Sequence, residues 1–146
     1  MQTFLPYDDF DKSAQSLDMR RLGKQRVETL QILQALTSNS KWITHPASQM
    51  WKGYTSCLVE YGVAICKEWI KRGYKDTCLQ KIEHYNEHKS IKPAWLGLEI
   101  FHSKHRGILL DKNYEWYRQF NWTEGKISKI NDSYPYYWPT KHKVTI

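Results

Sequence analysis

Residues 17–28, Leu-Asp-Met-Arg-Arg-Leu-Gly-Lys-Gln-Arg-Val-Glu, concentrate four cations, two carboxylates and a glutamine in a stretch that otherwise reads as helix. At 100° per residue, Asp18, Arg21, Gln25 and Glu28 fall within about 80° of one another on the helical wheel. Leu22, Leu30 and Leu33 lie on the far side, with Met19 and Val27 beside them. One face can therefore pack while the other presents acid, guanidinium and amide together. That suits a site acting on a polyanion: cations hold phosphates, and an ionised Asp18 or Glu28 beside a reactive amine can stabilise a developing oxocarbenium or iminium cation. The same residues also compose an ordinary solvated face, with ion pairs Asp18–Arg21 and Lys24–Glu28 worth roughly a few tenths of a kcal/mol.

Three further groups carry chemistry. Ser103-Lys104-His105-Arg106 puts hydroxyl, ammonium, imidazole and guanidinium within one turn, a set that binds phosphate or forms a solvated face. His45 precedes Pro46, so it either caps a helix or donates to phosphate. His84 and His88 stand at i, i+4, and His102 and His105 at i, i+3, spacings at which two histidines can share a metal. Neither pair has the carboxylate of a recognised metalloenzyme motif, and no cysteine lies beside them, so no metal is expected. The seven glycines are scattered, which excludes a glycine-rich phosphate loop, and no Gly-x-Ser-x-Gly occurs.

These groups need elements to position them, and the pattern is helical. Residues 1–11 read as an extended segment because Pro6 forbids a helix across it, with Asp8, Asp9 and Asp11 as cap candidates for the first helix. A long basic first helix is expected from about Ser13 to Leu36, with Gly23 in its middle costing about 1 kcal/mol relative to alanine. Residues 38–40 close it, and Thr44-His45-Pro46 opens the next. Ala47, Met50, Trp51, Tyr54, Leu58, Tyr61, Ile65 and Trp69 then continue in steps of three or four, the clearest core stripe in the chain, with Gly53 and Gly62 as candidate interruptions. Arg72-Gly73-Tyr74 is a stop signal. A helix is expected from Asp76-Thr77 to His88, a turn at residues 93–97, a helix over Leu98–Leu110, and a short one capped by Asn113 and running through Gln119. Residues 121–146 carry the cluster Tyr134-Pro135-Tyr136-Tyr137-Trp138-Pro139 and no strand alternation. The expectation is an all-α, compact helical bundle over residues 1–146, one domain, with an irregular aromatic-rich tail packed on the helices.

Composition narrows the partner. Seven Trp and ten Tyr stand against four Phe, and the net charge is +7. Cations and acids are five and five over residues 1–40, six and two over 41–75, and eleven and eight over 76–146. The excess is spread along the chain, which points to a folded basic surface and to nucleic acid as its partner. Three cysteines with no C-x-x-C indicate reduced thiols and no disulfide framework. No signal peptide and no bilayer-length apolar run are visible, so a soluble, cytoplasmic monomer without membrane contact is expected.

With these residues laid out, the chain resembles the pyrimidine-dimer DNA glycosylase family, the phage endonuclease V type and its short bacterial relatives. The resemblance rests on Leu17-Asp18 with Arg21 through Glu28, His45-Pro46, Met50-Trp51 and Gly53-Tyr54. It continues with Glu68-Trp69, Arg72-Gly73-Tyr74, Ser103 through Arg106, Leu109 to Tyr117 and Tyr137-Trp138-Pro139. It implies an all-α fold, DNA as substrate, expected as duplex with a damaged or modified base, and no cofactor. It also implies that an N-terminal α-amine attacks the sugar C1′, that the base leaves, and that the resulting imine permits β-elimination at the abasic site. Gln2 is too large for ordinary removal of the initiator, so the implied amine is that of Met1, with Asp18 or Glu28 as the stabilising carboxylate. Arg20, Arg21, Lys24, Gln25, His45, Ser103, His105 and Arg106 are then the nucleic-acid contacts. Two other readings stand beside this one: a non-catalytic nucleic-acid-binding module, and an enzyme acting on a nucleotide or modified base outside duplex DNA.

Overall fold

The computed structural model describes residues 1–38 and 40–140. Its order is α1 (Phe10–Ser16), α2 (Met19–Thr37), a 3-10 turn (Lys41–Thr44), α3 (Pro46–Gln49), α4 (Thr55–Lys71), α5 (Leu79–Glu83), α6 (Glu99–Lys112), α7 (Tyr114–Tyr117) and a second 3-10 turn (Arg118–Phe120). No strand occurs among the described residues; Ile130 and Ser133 make one isolated bridge. The fold is all-α. The last stretch of the tail, residues 141–146, and Asn39 of the expected first stop lie outside the described residues.

The expected long first helix is two. Leu17 and Asp18 are both extended, with ψ of 138° and 159°, so the chain turns a corner before α2 begins. Two forces hold that corner. Leu17 is fully buried, and the Asp18 amide donates to the Tyr117 hydroxyl at 3.1 Å, a partner that continuous helix would exclude. Asp9 caps α1, its carboxylate accepting from the Lys12 amide at 2.8 Å. The second correction is α5, which covers only Leu79–Glu83. Asp76 accepts from the Cys78 and Leu79 amides at 3.1 and 2.7 Å and starts that turn. Beyond it, Ser56 Oγ accepts from the Glu87 and Lys89 amides, drawing this stretch away from helical pairing.

The core stripe holds, divided between α3 and α4 by the turn at Gly53, while Gly62 sits inside α4. From it Ala47, Met50, Trp51, Leu58, Tyr61 and Ile65 are buried, against Leu22, Ile32 and Leu33 of α2 and Phe101, Ile108 and Leu109 of α6. Helix α4 is central, packing on α1, α2 and α5. From the tail, Ile127, Tyr134, Tyr136 and Trp138 rest on the same core.

Three glycines mark close approaches, Gly107 against Ile127 of the tail and two in α2 and α4. A Cβ at Gly62 would lie 2.8 Å from the Thr29 methyl and 3.0 Å from Ile82, where α2, α4 and α5 converge. A Cβ at Gly23 would lie 3.0 Å from the Trp69 ring, so the glycine inside the basic stretch answers to packing. Gly62→Ala is therefore expected to lose about 1–3 kcal/mol to overpacking, more than alanine's helix propensity returns. Urea denaturation checks this: the midpoint should fall for Gly62→Ala and hold for Gly125→Ala, where a Cβ meets nothing within 4 Å.

Candidate active site

The site begins with residues 2–6, a buried segment outside any helix that, among the described residues, has no sheet to join. Buried peptide groups left unpaired cost about 1–3 kcal/mol each, so this segment needs partners. Side chains supply them. Gln25 Oε1 accepts from the Phe4 amide at 2.8 Å, and Gln25 Nε2 donates to the Gln2 carbonyl at 2.8 Å. The Tyr61 hydroxyl lies 2.7 Å from the Phe4 carbonyl oxygen and 2.6 Å from Gln25 Oε1. Thr3 Oγ1 accepts from the Trp51 indole at 3.0 Å.

From α6, His105 Nδ1 accepts from the Leu5 amide at 2.8 Å. His102 Nε2 accepts from the Gly97 amide at 2.9 Å, which leaves the proton on Nδ1 to donate to the Leu5 carbonyl at 2.8 Å. Two histidines one turn apart thus bond both sides of one residue, as a neighbouring strand would. Burial pushes both imidazoles below the usual histidine range, His105 to about 3. Arg106 completes the clasp, donating to the Pro6 carbonyl at 2.8 Å and pairing with Glu124 at 2.9 Å and with Glu99.

The segment ends at a cavity of about 300 Å3. Met1, Gln2 and Phe4 form one part of its wall, and Arg20, Arg21, Lys24, Gln25 and Glu28 of α2 another. Lys112, the last residue of α6, and Tyr136 of the tail complete it. The Glu28 carboxylate accepts from Gln25 Nε2 at 3.0 Å and from the Gln2 amide at 3.3 Å. Among the described residues Glu28 has no ion-pair partner, so the expected Lys24–Glu28 bridge does not form. Arg20 and Lys24 are exposed and make no ion pair among those residues either. Four side-chain cations against one carboxylate leave the cavity with a strong positive field, suited to an anionic occupant.

The structure thus brings Met1, Arg20, Arg21, Lys24, Gln25 and Glu28 together. Gln25 is in the wall, but its amide is spent on the N-terminal segment. Asp18 is not in the wall: it is buried, takes a short hydrogen bond from the Tyr117 hydroxyl, and pairs with Arg21 Nη1 at 3.3 Å. Its effect there is to aim Arg21, and burial together with that carboxylate pushes the Tyr117 phenol up. Ser103, His105 and Arg106 do not form an open phosphate cluster. Ser103 donates to Glu124 at 2.8 Å, His105 is fully buried, and the Arg106 guanidinium is committed as above. His45 caps α3, its Nδ1 accepting from the Ala47 amide at 3.0 Å, and its ring contacts Trp42 and Trp138. Lys112, Tyr136 and Gln2 were not visible as site residues because they are remote in sequence from the charged stretch; a cation in the last turn of α6 reads as an ordinary helix terminus.

An all-helical chain with a cationic cavity around one carboxylate suits an anionic ligand, a phosphate backbone among them. The chain belongs to the pyrimidine dimer DNA glycosylase family, whose sequence model matches residues 1–82. Neither the curated proteins nor the solved structures return a match. Membership gives the protein a DNA glycosylase-type function with DNA as its substrate. No helix among the described residues is long and apolar enough to cross a membrane.

The histidine clasp sets a pH dependence. Both histidines have folded-state values below their unfolded value of about 6.5, so the unfolded chain binds protons first. Their stabilisation is present above about pH 6.5 and is lost as pH falls toward about 3, where folded His105 itself protonates. For His105 the loss by pH 5 is on the order of 2 kcal/mol. In urea titrations at several pH values, His105→Asn should be less stable than the parent at pH 7.5 and show a shallower decline between pH 7 and 5.

Proposed function

We propose that this glycosylase excises a damaged or modified base from duplex DNA at the cavity between the N-terminal segment and α2, and that it cleaves the resulting abasic site. One observation carries the reading: Met1 and Glu28 wall the same cavity as Arg20, Arg21 and Lys24. The α-amine at Met1 adds its lone pair to the sugar C1′. The bond from C1′ to the base breaks, and its electron pair leaves with the base, which takes up a proton. Glu28 stabilises the positive charge that builds on the sugar, and its hydrogen bonds from Gln25 and the Gln2 amide hold the carboxylate in place. Arg20, Arg21 and Lys24 hold the flanking phosphates. The C1′–O4′ bond then breaks, O4′ takes up a proton, and the iminium so formed acidifies the 2′ position. The 2′ proton passes to Glu28 or water, its electron pair forms the C2′–C3′ double bond, and the 3′ phosphate departs.

Two measurements test this on duplexes carrying a pyrimidine dimer, a uracil or an abasic site. Glu28→Gln should bind as the parent does but lose excision by about 100-fold or more, the scale of a removed transition-state contact. Arg20→Gln and Lys24→Gln should each flatten the log–log salt dependence of binding by about 0.9. Full excision by Glu28→Gln, or salt slopes unchanged by both cation variants, would sink the assignment of this cavity.

A further inference from the structure

A second recess lies over α4 and shares no residue with the cationic cavity. Val59, Val63 and Ala64 lie on one face of α4, and Phe10 of α1 stands beside them. Val59 and Ala64 are buried, Phe10 and Val63 half-buried, and together they floor a groove of about 580 Å3. A smaller hollow of about 380 Å3 continues it through Phe10, Asp11 and Glu60 to Leu96. Asp8, Asp9, Asp11, Glu60 and Glu83 stand on the rim, all exposed, and none forms an ion pair among the described residues. Lys67 and Lys92 are the lysines there. On a chain of net charge +7 this is a local reversal of sign. A phosphate backbone is repelled here, and the groove fits an apolar anchor flanked by cations.

Such an anchor borders the groove itself. The segment after α5 passes both hollows, with His88 on the first and Lys92 on the second. Between them Ile91 is 55% exposed, and Lys89 and Lys92 on either side of it are exposed as well. Lys89 pairs with Glu87 at 3.5 Å, but both side chains stand in solvent, where an ion pair exchanges readily for another partner. Each copy of the chain thus carries an acid-rimmed apolar groove and, next to it, an apolar residue between two lysines. A twofold axis sets one patch against the same patch on a second copy, so that groove meets loop twice in one interface.

We propose that two copies of the chain join through this face as a twofold dimer, in place of the monomer expected from the sequence. Ile91 of each copy enters the groove over α4 of the other, and Lys89 and Lys92 meet its acidic rim. The apolar contact carries the affinity, while the charges set register and orientation. No residue of the cationic cavity takes part, so the dimer carries two DNA sites. The inference does not depend on the chemistry proposed for that cavity.

The test is sedimentation velocity on the full-length protein without DNA, over a hundredfold range of concentration and at low and high ionic strength. The mass should approach twice that of one chain as concentration rises, and salt should weaken the association. Ile91→Asp should weaken it about tenfold or more, the scale of a lost central anchor. A Glu60→Lys, Glu83→Lys double variant and a Lys89→Glu, Lys92→Glu double variant should each do the same alone. Mixed in equal amounts, the two double variants should associate as the parent does, because both halves of a mixed dimer again pair opposite charges. The mixture reads a recovery, so a folding defect cannot imitate it. Monomeric mass at every concentration overturns the dimer. Association unchanged by Ile91→Asp and by both charge variants places the contact on another face and overturns this one. A labelled synthetic peptide of residues 87–94 probes a different occupant. If the chain stays monomeric while this peptide binds and Glu60→Lys abolishes the binding, the groove receives a basic segment of another protein, which overturns the second copy.

Discussion

The buried N-terminal segment must find hydrogen-bond partners without a sheet, and much of the rest of the molecule is arranged around that need. Its peptide groups are met by Gln25 on α2, Tyr61 on α4, and His102, His105 and Arg106 on α6. These contacts tie the first residues to three helices that are distant from one another in the chain. They also decide where the segment ends, which is beside Glu28. Removing one partner leaves a buried amide or carbonyl uncompensated, a larger penalty than the net worth of the bond. The segment is therefore held far more firmly than an extended terminus of this length would be on a surface.

The same demand explains why residues with the look of catalytic groups are engaged in holding the chain. An imidazole on a buried face can accept from one peptide group or donate to another, and α6 uses both roles on Leu5. Asp18 and Tyr117 close the corner between α1 and α2, and Arg21 is drawn to the cavity by the same carboxylate. Arg26 pairs with Asp76 at 2.6 Å and lies over the Trp69 ring, joining α2 to the start of α5. The cations of α2 thus divide by burial: Arg26 is part of the packing, while Arg20 and Lys24 project at the cavity rim, where a phosphate chain can reach them.

Family membership and the cavity give complementary information. The matched stretch, residues 1–82, supplies the N-terminal segment, α2 with Glu28, and the α4 and α5 helices that support them. The remaining wall comes from α6 and the tail through Lys112 and Tyr136, so the site is complete only when the later part of the chain has folded against the first. Burial pushes the Tyr136 phenol up, with Tyr134 and Glu28 adding to it, which keeps it a neutral aromatic surface next to the cationic wall. The cavity thus presents charge on one side and a ring on the other.

What the sequence determined by itself is whatever depends on neighbours a few positions apart. The helical class, the core stripe from Ala47 to Trp69, the stop at Arg72-Gly73, the cap at Asn113 and the shared face of Arg21, Gln25 and Glu28 are local periodicities and cap chemistry, set at short range. The break at Leu17–Asp18 escaped that logic because its cause, Tyr117, is 99 residues away. Only the tertiary structure decided which carboxylate faces the cavity: Asp18 falls at the extended corner before α2, where Tyr117 covers it, while Glu28 lies inside the helix and lines the wall. It likewise turned His105 and Arg106 from a candidate phosphate cluster into a clasp on Leu5 and Pro6, and it brought Lys112 to Glu28. The physical reason is the same in each case: burial and partner choice are properties of the assembled interior, and residue type alone does not carry them.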